Sequence, residues 1–215
     1  MMDQEVEIIS SATRKEKIKN FFINKKKQII ATVIFFLLIL FGFFFYQEYE
    51  KGHRERLSNK YSATIIEYEA GDKSKVLNSM KDIIEDKDKT YSPLAFYYLL
   101  DNDLITSKEE INKYFDVMIE KTNLEKEIKN LIIYKKGLFN ADHVSENSLL
   151  EILNPLINSD SVWKSHALYL MAEYYFAKKE KQKSKEFLEQ LVSLEDISTK
   201  IKLEAQKRLR SDFSE

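Results

Sequence analysis

The chain has 215 residues, with 34 Lys and Arg against 35 Asp and Glu and a net charge of −1. Because there is no surplus of positive charge that would follow a phosphate backbone, we expect no nucleic-acid partner. The chain has no cysteine, which excludes disulfide frameworks, thiol catalysis and cysteine-ligated metals.

An uncharged apolar run over residues 29–46 (IIATVIFFLLILFGFFFY) is the first element along the chain. As a helix it is about 27 Å long, close to the roughly 30 Å hydrocarbon thickness of a bilayer. It has no polar face, whereas a soluble helix of this length normally has one. A cleaved signal peptide is the alternative, but its apolar core is only about 7 to 15 residues and ends at a small-residue cleavage site. The run ends instead at Phe45 and Tyr46, so we predict an uncleaved transmembrane helix.

The charges on either side of this run predict its orientation. Seven cations precede it, whereas the residues that follow are mixed in sign. By the positive-inside rule, the tail 1–28 is cytoplasmic and residues 47–215 lie across the membrane. Lys25, Lys26 and Lys27 then flank the membrane on one side and Tyr46 on the other. Nothing in the first twelve residues names a partner.

Residues 47–215 are predicted to be helical throughout. Residues 1–46 hold seven of the 34 cations and four of the 35 anions, so this segment keeps 27 and 31 and a net charge of −4. Helix formers fill the stretches between a few Gly and Pro, and no period-2 alternation is sustained. Breaks between these stretches give about nine helices. Ser92, Ser107 and Ser161 are expected as N-caps, with Pro93 at a first helical position.

The helices form a repeat. Turns within helix pairs are predicted at Gly71, Thr106, Val144 and Lys179, with spacings of 35, 38 and 35 residues, close to the roughly 34-residue period of helix-pair repeats. Seven residues before each turn stand Thr64, Leu99, Gly137 and Ala172, and the small residues Gly137 and Ala172 would let paired helices approach closely. Five, nine and twelve residues after each turn a largely apolar stripe recurs at i, i+4 and i+7: Val76, Met80, Ile83; Ile111, Phe115, Met118; Leu149, Leu153, Leu156; Ser184, Leu188, Leu191.

Residues 165–195 resemble the tetratricopeptide superfamily, with Ala172, Tyr175, Ser184 and Leu188 at the small, aromatic, small and large positions of the motif. The whole layout resembles the YfgM-like family, ancillary subunits of the bacterial Sec translocon. Residues 90–100 (TYSPLAFYYLL) and 162–172 (VWKSHALYLMA) look like that family's helix starts. The resemblance implies an all-α protein of the bacterial inner membrane. It would have one N-terminal transmembrane helix, a periplasmic tetratricopeptide-like α-solenoid of about four helix pairs, and a closing helix over 199–210.

No catalytic chemistry is indicated. His53, His143 and His166 show no metal-ligand spacing, and the sequence contains no P-loop, G-x-S-x-G or G-x-G-x-x-G motif. We therefore predict a protein that is not an enzyme and has no metal, cofactor or small-molecule substrate.

Aromatic residues stand ten positions before all four turns, at Tyr61, Phe96, Tyr134 and Tyr169. The resemblance places this position on the inner groove, where peptides bind, and adds His166, Glu173 and Phe176 to the same surface. Two interpretations stay open: the rings fill gaps between neighbouring pairs, or they form a row that binds a partner helix or an extended chain.

Two scaffold functions also stay open. One is an ancillary subunit of the Sec translocon that passes exported polypeptides to periplasmic chaperones. The other is a tetratricopeptide scaffold for a different envelope process, such as cell-division coordination or assembly of another membrane complex. The sequence does not separate them, because repeat surfaces of one architecture serve many functions.

Overall fold

In a computed structural model of the protein, the structure describes residues 19, 21, 23–69, 71–195 and 198–213. From Lys26 onward these residues form nine α-helices and one π-helical segment, and they contain no strand. The helices are α1 (Lys26–Glu69), α2 (Lys73–Glu85), α3 (Tyr91–Asp101), α4 (Lys108–Asp116), α5 (Lys126–Asn140), α6 (Glu146–Ile157), α7 (Lys164–Ala177), α8 (Lys181–Ser193) and α9 (Thr199–Asp212), with the π-helical segment Val117–Lys121 directly after α4. The predicted all-α fold with one long apolar helix at its start is confirmed.

By its internal contacts the chain divides into two units, a first that ends at Arg56 and a second over Leu57–Glu215. In the first unit, the large apolar side chains from Ile30 to Tyr46 are exposed on every face of the helix. Within the described residues, α1 is the one helix long and apolar enough to span a membrane, and none of its most apolar window is buried. Of the seven predicted tail cations, Arg14, Lys15 and Lys17 lie outside the described residues, as do residues 1–12.

In the second unit the order of the helices follows the predicted repeat. The first helices of the pairs are the Leu57–Glu69 part of α1, then α3, α5 and α7, and the second helices are α2, α4, α6 and α8. The closing helix α9 follows, and each of the four predicted turns falls between the two helices of a pair. Gly71 takes a positive φ of 97° that a residue with a Cβ rarely adopts, which explains glycine at that turn.

Local capping explains several helix starts. The side chains of Asp72, Ser107 and Ser145 each accept a hydrogen bond from the backbone N–H three residues on, so each satisfies a donor that the first helical turn leaves free. The predicted cap at Ser107 is therefore confirmed.

The predicted caps at Ser92 and Ser161 are wrong. Ser92 is the second residue of α3, Pro93 is the third, and the Ser92 hydroxyl donates to the Ile83 carbonyl, 2.8 Å away. Asp88 accepts from the N–H groups of Thr90 and Tyr91 instead. Ser161 accepts from the N–H of Trp163, but α7 begins only at Lys164. In both places the hydrogen-bond acceptor lies in the loop, two or more residues before the first residue of the helix, and not at the N-cap position.

All twelve residues of the predicted stripe are buried, at 4% exposure or less. Eleven of them, all but Ser184, contribute to three contiguous apolar clusters that succeed one another along the chain: one mainly in α1 to α4, one mainly in α6 and α7, and one in α7 to α9. Stacking of the pairs therefore builds the core, since no pair buries its apolar face alone.

Candidate protein-binding surface

Exposed apolar side chains of the second unit are concentrated on one set of helices. None of the described residues of the second helices is a large apolar residue that is exposed. The exposed ones lie on the first helices, on α9, and in the turn before α7: Ile66, Leu94, Ile128, Leu138, Val162 and Leu203. We call these six residues the first-helix surface. Single exposed apolar side chains are common on proteins, and what distinguishes these six is that the second helices contribute none of them.

Tyr61 lies in a cluster of tyrosines between α1 and α3. Its ring centroid is 5.9 Å from that of Tyr91 and 6.3 Å from that of Tyr98, and Tyr68 packs edge-on to Tyr98 at 5.7 Å. Burial raises the pKa of the Tyr61 and Tyr98 hydroxyls. Tyr61 itself is half-buried, so one part of the ring packs and the other meets solvent.

Phe96 does not share that position, and for this ring the structure agrees with the first of the two interpretations, in which the ring fills the core. It is fully buried, with its ring edge-on to Phe115 at 4.8 Å. The loop after α3 holds six residues, against three after α1 and three after α7. Phe96 therefore stands five residues before the end of its helix, as Thr64 and Ala172 do, and all three are buried.

Tyr134 belongs to a second aromatic cluster, between α5 and the start of α7. Its ring stacks on Trp163 at 5.6 Å and meets His166 at 5.6 Å, while Trp163 and His166 are 5.1 Å apart. Burial raises the pKa of the Tyr134 hydroxyl. Val162, strongly exposed, directly precedes this cluster.

The remaining predicted partner residues, Tyr169, Glu173 and Phe176, lie against α9. Arg208 donates from Nε and Nη2 to Glu173 Oε1, at 3.0 and 2.8 Å, and its guanidinium lies 4.5 Å from the centroid of the Phe176 ring. Tyr169 packs on the apolar cluster that α9 completes, and burial, followed by the charge of Glu173, raises its pKa. Glu173 and Phe176 thus already have partners within the chain, so α9 occupies much of the surface that the sequence assigned to a binding partner.

The residues predicted to bring helices together are all buried. A Cβ placed on Gly137 would lie 2.5 Å from Leu153 Cδ2. The Ser184 hydroxyl donates to the Ala172 carbonyl at 2.8 Å.

The residues predicted to flank the membrane lie near the N-terminus. Lys25, Lys26 and Lys27 are exposed, and the exposed Tyr46 donates from its hydroxyl to Glu50 at 3.3 Å.

Sequence reasoning missed the partners of the aromatic row. Trp163, Tyr91 and Tyr98 complete the two clusters, and Lys135 lies 4.5 Å above the ring of Tyr97. These residues stand at different offsets from their turns, so a fixed spacing does not find them. Residues 91–98 contain three tyrosines, and this local density is the feature of the sequence that points to the first cluster.

The part of the chain that the structure describes contains no candidate metal-binding site. No group of three or more His, Asp or Glu side chains there could hold an ion. His53 stacks on Tyr49 and His143 is exposed in the turn after α5.

Comparison with known families agrees with this architecture. Neither the curated proteins nor the solved structures gave a match. Residues 19–113 match the family model described as a tetratricopeptide repeat-like domain, a range that includes the apolar part of α1 and continues into α4. Residues 19–113 are therefore similar to a tetratricopeptide repeat-like domain, a kind of domain that mediates protein–protein interaction.

Proposed function

We propose that this protein is a non-enzymatic scaffold, held in the bacterial inner membrane by the helix over residues 29–46, with its N-terminus in the cytoplasm and its repeat domain in the periplasm. Its work is to bind other proteins of the export pathway. In this proposal it is an ancillary subunit at the Sec translocon that passes exported polypeptides to periplasmic chaperones.

The observation that carries the binding role is the first-helix surface. Six large apolar side chains are exposed on the second unit, and the described second helices contribute none of them. Aromatic clusters at Tyr61 and Tyr134 lie on the same set of helices. Rings already packed on their neighbours lose little conformational freedom when a partner covers them, so they suit weak, repeated contact with emerging chains.

The place of action is argued from the chain's layout. A seven-cation tail before an apolar span favours a cytoplasmic N-terminus. The layout of basic tail, single span, helix pairs and closing helix resembles the YfgM-like family, and that resemblance supports the translocon and chaperones as partners.

Photocrosslinking in the native membrane tests the proposal. A photoreactive amino acid replaces Leu138, exposed on the first helix α5, and in a matched strain replaces Asn78, exposed on the second helix α2. We expect the probe at 138 to capture translocon subunits, exported chains or periplasmic chaperones, and the probe at 78 to capture far less of them.

Two outcomes contradict the proposal. Equal capture of these proteins by the probes at 138 and 78 would show that the first-helix surface is not the binding site. Capture at 138 of cell-division or outer-membrane assembly proteins alone would assign the scaffold to a different envelope process.

A further inference from the structure

The second helices of neighbouring pairs are joined by ion pairs at two of their three junctions. Between α2 and α4, Lys81 Nζ lies 2.6 Å from Glu110 and Lys113 Nζ lies 3.0 Å from Glu85. Between α6 and α8, Lys183 Nζ lies 3.0 Å from Glu146. Each of these junctions therefore matches a lysine of one pair with a glutamate of the neighbouring pair.

The junction between α4, with its π-helical segment, and α6 is built differently. Within the described residues no ion pair crosses it, and an open cleft of about 380 Å³ lies there instead. Ile119, Ile133, Ile152 and Pro155 contribute apolar surface to its lining. We call it the outer cleft.

Two carboxylates line the outer cleft without a counter-ion. Glu120 comes from the π-helical segment and Glu151 from α6, both are exposed, and neither has a hydrogen bond or ion pair in the described part of the chain. The one lysine in the lining, Lys136, is already paired with Asp116. The cleft therefore keeps an uncompensated negative charge next to an apolar wall.

The π-helical segment Val117–Lys121 supplies two of these groups. Its wider turn carries Ile119 and Glu120 into the lining. Such single turns of π-helix recur at functional sites, because they cost hydrogen-bond geometry that an ordinary α-helix would keep.

We propose that the outer cleft docks a protein partner through a lysine or arginine side chain that is flanked by apolar residues. The alkyl stem of that side chain packs on the isoleucines and Pro155, and its cationic head lies between Glu120 and Glu151. The partner thereby supplies the cation that the chain itself supplies at the other two junctions. The volume is at the small end of the roughly 300 to 1,000 Å³ range of ligand sites, so it suits a side chain and its neighbours rather than a whole helix.

This docking site is separate from the first-helix surface. Apart from the paired Lys136 and the buried Ile133, its lining comes from α4 with its π-helical segment and from α6. A failure of the outer cleft to bind a partner would therefore not contradict the proposed role of the first-helix surface. A failure of the first-helix surface to bind would likewise not contradict the docking site in the cleft.

Methyl NMR on the full chain in detergent micelles tests the inference. The isoleucine δ1 methyl groups carry ¹³C, and the probe is the synthetic peptide acetyl-GLRLG-amide at low salt. We expect shifts concentrated at Ile119, Ile133 and Ile152. The peptide acetyl-GLELG-amide should bind far more weakly, because it brings a third negative charge to the cleft.

Charge-removing variants give the matched comparison. Glu120→Gln with Glu151→Gln should weaken binding of the arginine peptide about threefold to tenfold, the range of two partly exposed ion pairs. Glu125→Gln with Asp142→Asn removes the same charge at exposed positions outside the cleft lining and should leave binding unchanged. Equal thermal unfolding midpoints of the two double variants exclude a folding defect.

Three results would overturn the inference. The first is equal binding of the GLRLG and GLELG peptides. The second is arginine-peptide binding that the Glu120 and Glu151 changes leave intact. The third is an identical set of shifts from arginine amide alone at the same concentration, which would make the cleft a site for a free cation.

Discussion

Gly137 and Leu153 pack directly on each other across the α5–α6 pair. A Cβ on Gly137 would lie 2.5 Å from Leu153 Cδ2 and 3.0 Å from Cγ, and the Leu153 side chain is fully buried. The space that glycine leaves empty is filled by leucine from the facing helix. Glycine is costly inside a helix, so its presence here reflects this close approach.

Gly137→Leu should overpack the pair and lower the free energy of unfolding by about 1 to 3 kcal/mol. In a Leu153→Ala background the added side chain can enter the vacated space, so the two changes should couple by about 0.5 to 3 kcal/mol. Denaturant unfolding of the single and double variants measures this coupling. Gly52→Leu, inside α1 at a position where a Cβ meets nothing within 4 Å, is the control and should not lower the free energy of unfolding, because it removes the helix penalty of glycine without a clash. Additive effects at 137 and 153 would contradict the packing.

Phe96→Ala should lower the free energy of unfolding by about 3 to 5 kcal/mol, because it empties a fully buried site against Phe115. Tyr169→Ala removes a half-buried ring and should cost less, in the usual range of about 0.5 to 3 kcal/mol. Thermal unfolding of both variants, followed by circular dichroism, compares them. If Phe96→Ala lowered the unfolding midpoint less than Tyr169→Ala does, Phe96 would not be a core residue and would belong to the accessible aromatic row.

Ala172→Leu should cost about 1 to 3 kcal/mol, because Ala172 is fully buried where α7 meets α8. Ser184→Ala should cost about 0.5 to 1.5 kcal/mol, since it removes one buried hydrogen bond, to the Ala172 carbonyl. Ala177→Leu, exposed at the end of the same helix, provides the reference. Denaturant midpoints of the three variants should rank them in that order of damage, and no difference among them would argue against a close α7–α8 contact.

Acid should weaken the link between the last two pairs. Lys183 and then Tyr175 hydrogen-bond to Glu146 and hold the pKa of its carboxyl below its ordinary value. A carboxyl whose pKa is lower in the folded state stabilises the fold above its unfolded pKa, and this contribution is lost as pH falls through the folded pKa. The loss therefore begins below about pH 4.3, the ordinary value for Glu.

Thermal midpoints measured from pH 7 down to pH 3 check this. Glu146→Gln should lower the midpoint at pH 7 and flatten its fall in acid. Glu151→Gln, whose carboxylate has no ion pair in the described residues, should leave the slope near that of the parent. If the thermal midpoints of Glu146→Gln and of the parent fell in parallel with pH, the Glu146 carboxylate would not be the cause of the acid destabilisation.

The topology prediction is checked with protease added to spheroplasts. We expect the domain after residue 46 to be digested and an epitope tag at the N-terminus to be spared, because the basic tail stays in the cytoplasm. If the protease digested the tail and spared the domain, the orientation would be opposite to the predicted one. A soluble product starting near residue 47 would instead identify the apolar run as a cleaved signal sequence.

The sequence by itself determined the helical architecture. Hydrophobic periodicity placed all twelve stripe residues correctly in the core, and the four turns fall where the repeat predicts. Such features depend on local helix propensity and on one period, both of which are written into short stretches of chain. The capacity of the apolar run over 29–46 to span a membrane is equally clear from the sequence, because it depends only on length and composition.

Tertiary structure decided which side chains are accessible. A loop three residues longer moved Phe96 into the core. Arg208 covers Glu173 and Phe176 from a helix 35 residues further along the chain. The outer cleft lies at the one junction of second helices that no ion pair crosses within the described residues. Each of these depends on how helices distant in sequence are placed against one another, and a period within one helix carries no information about that placement.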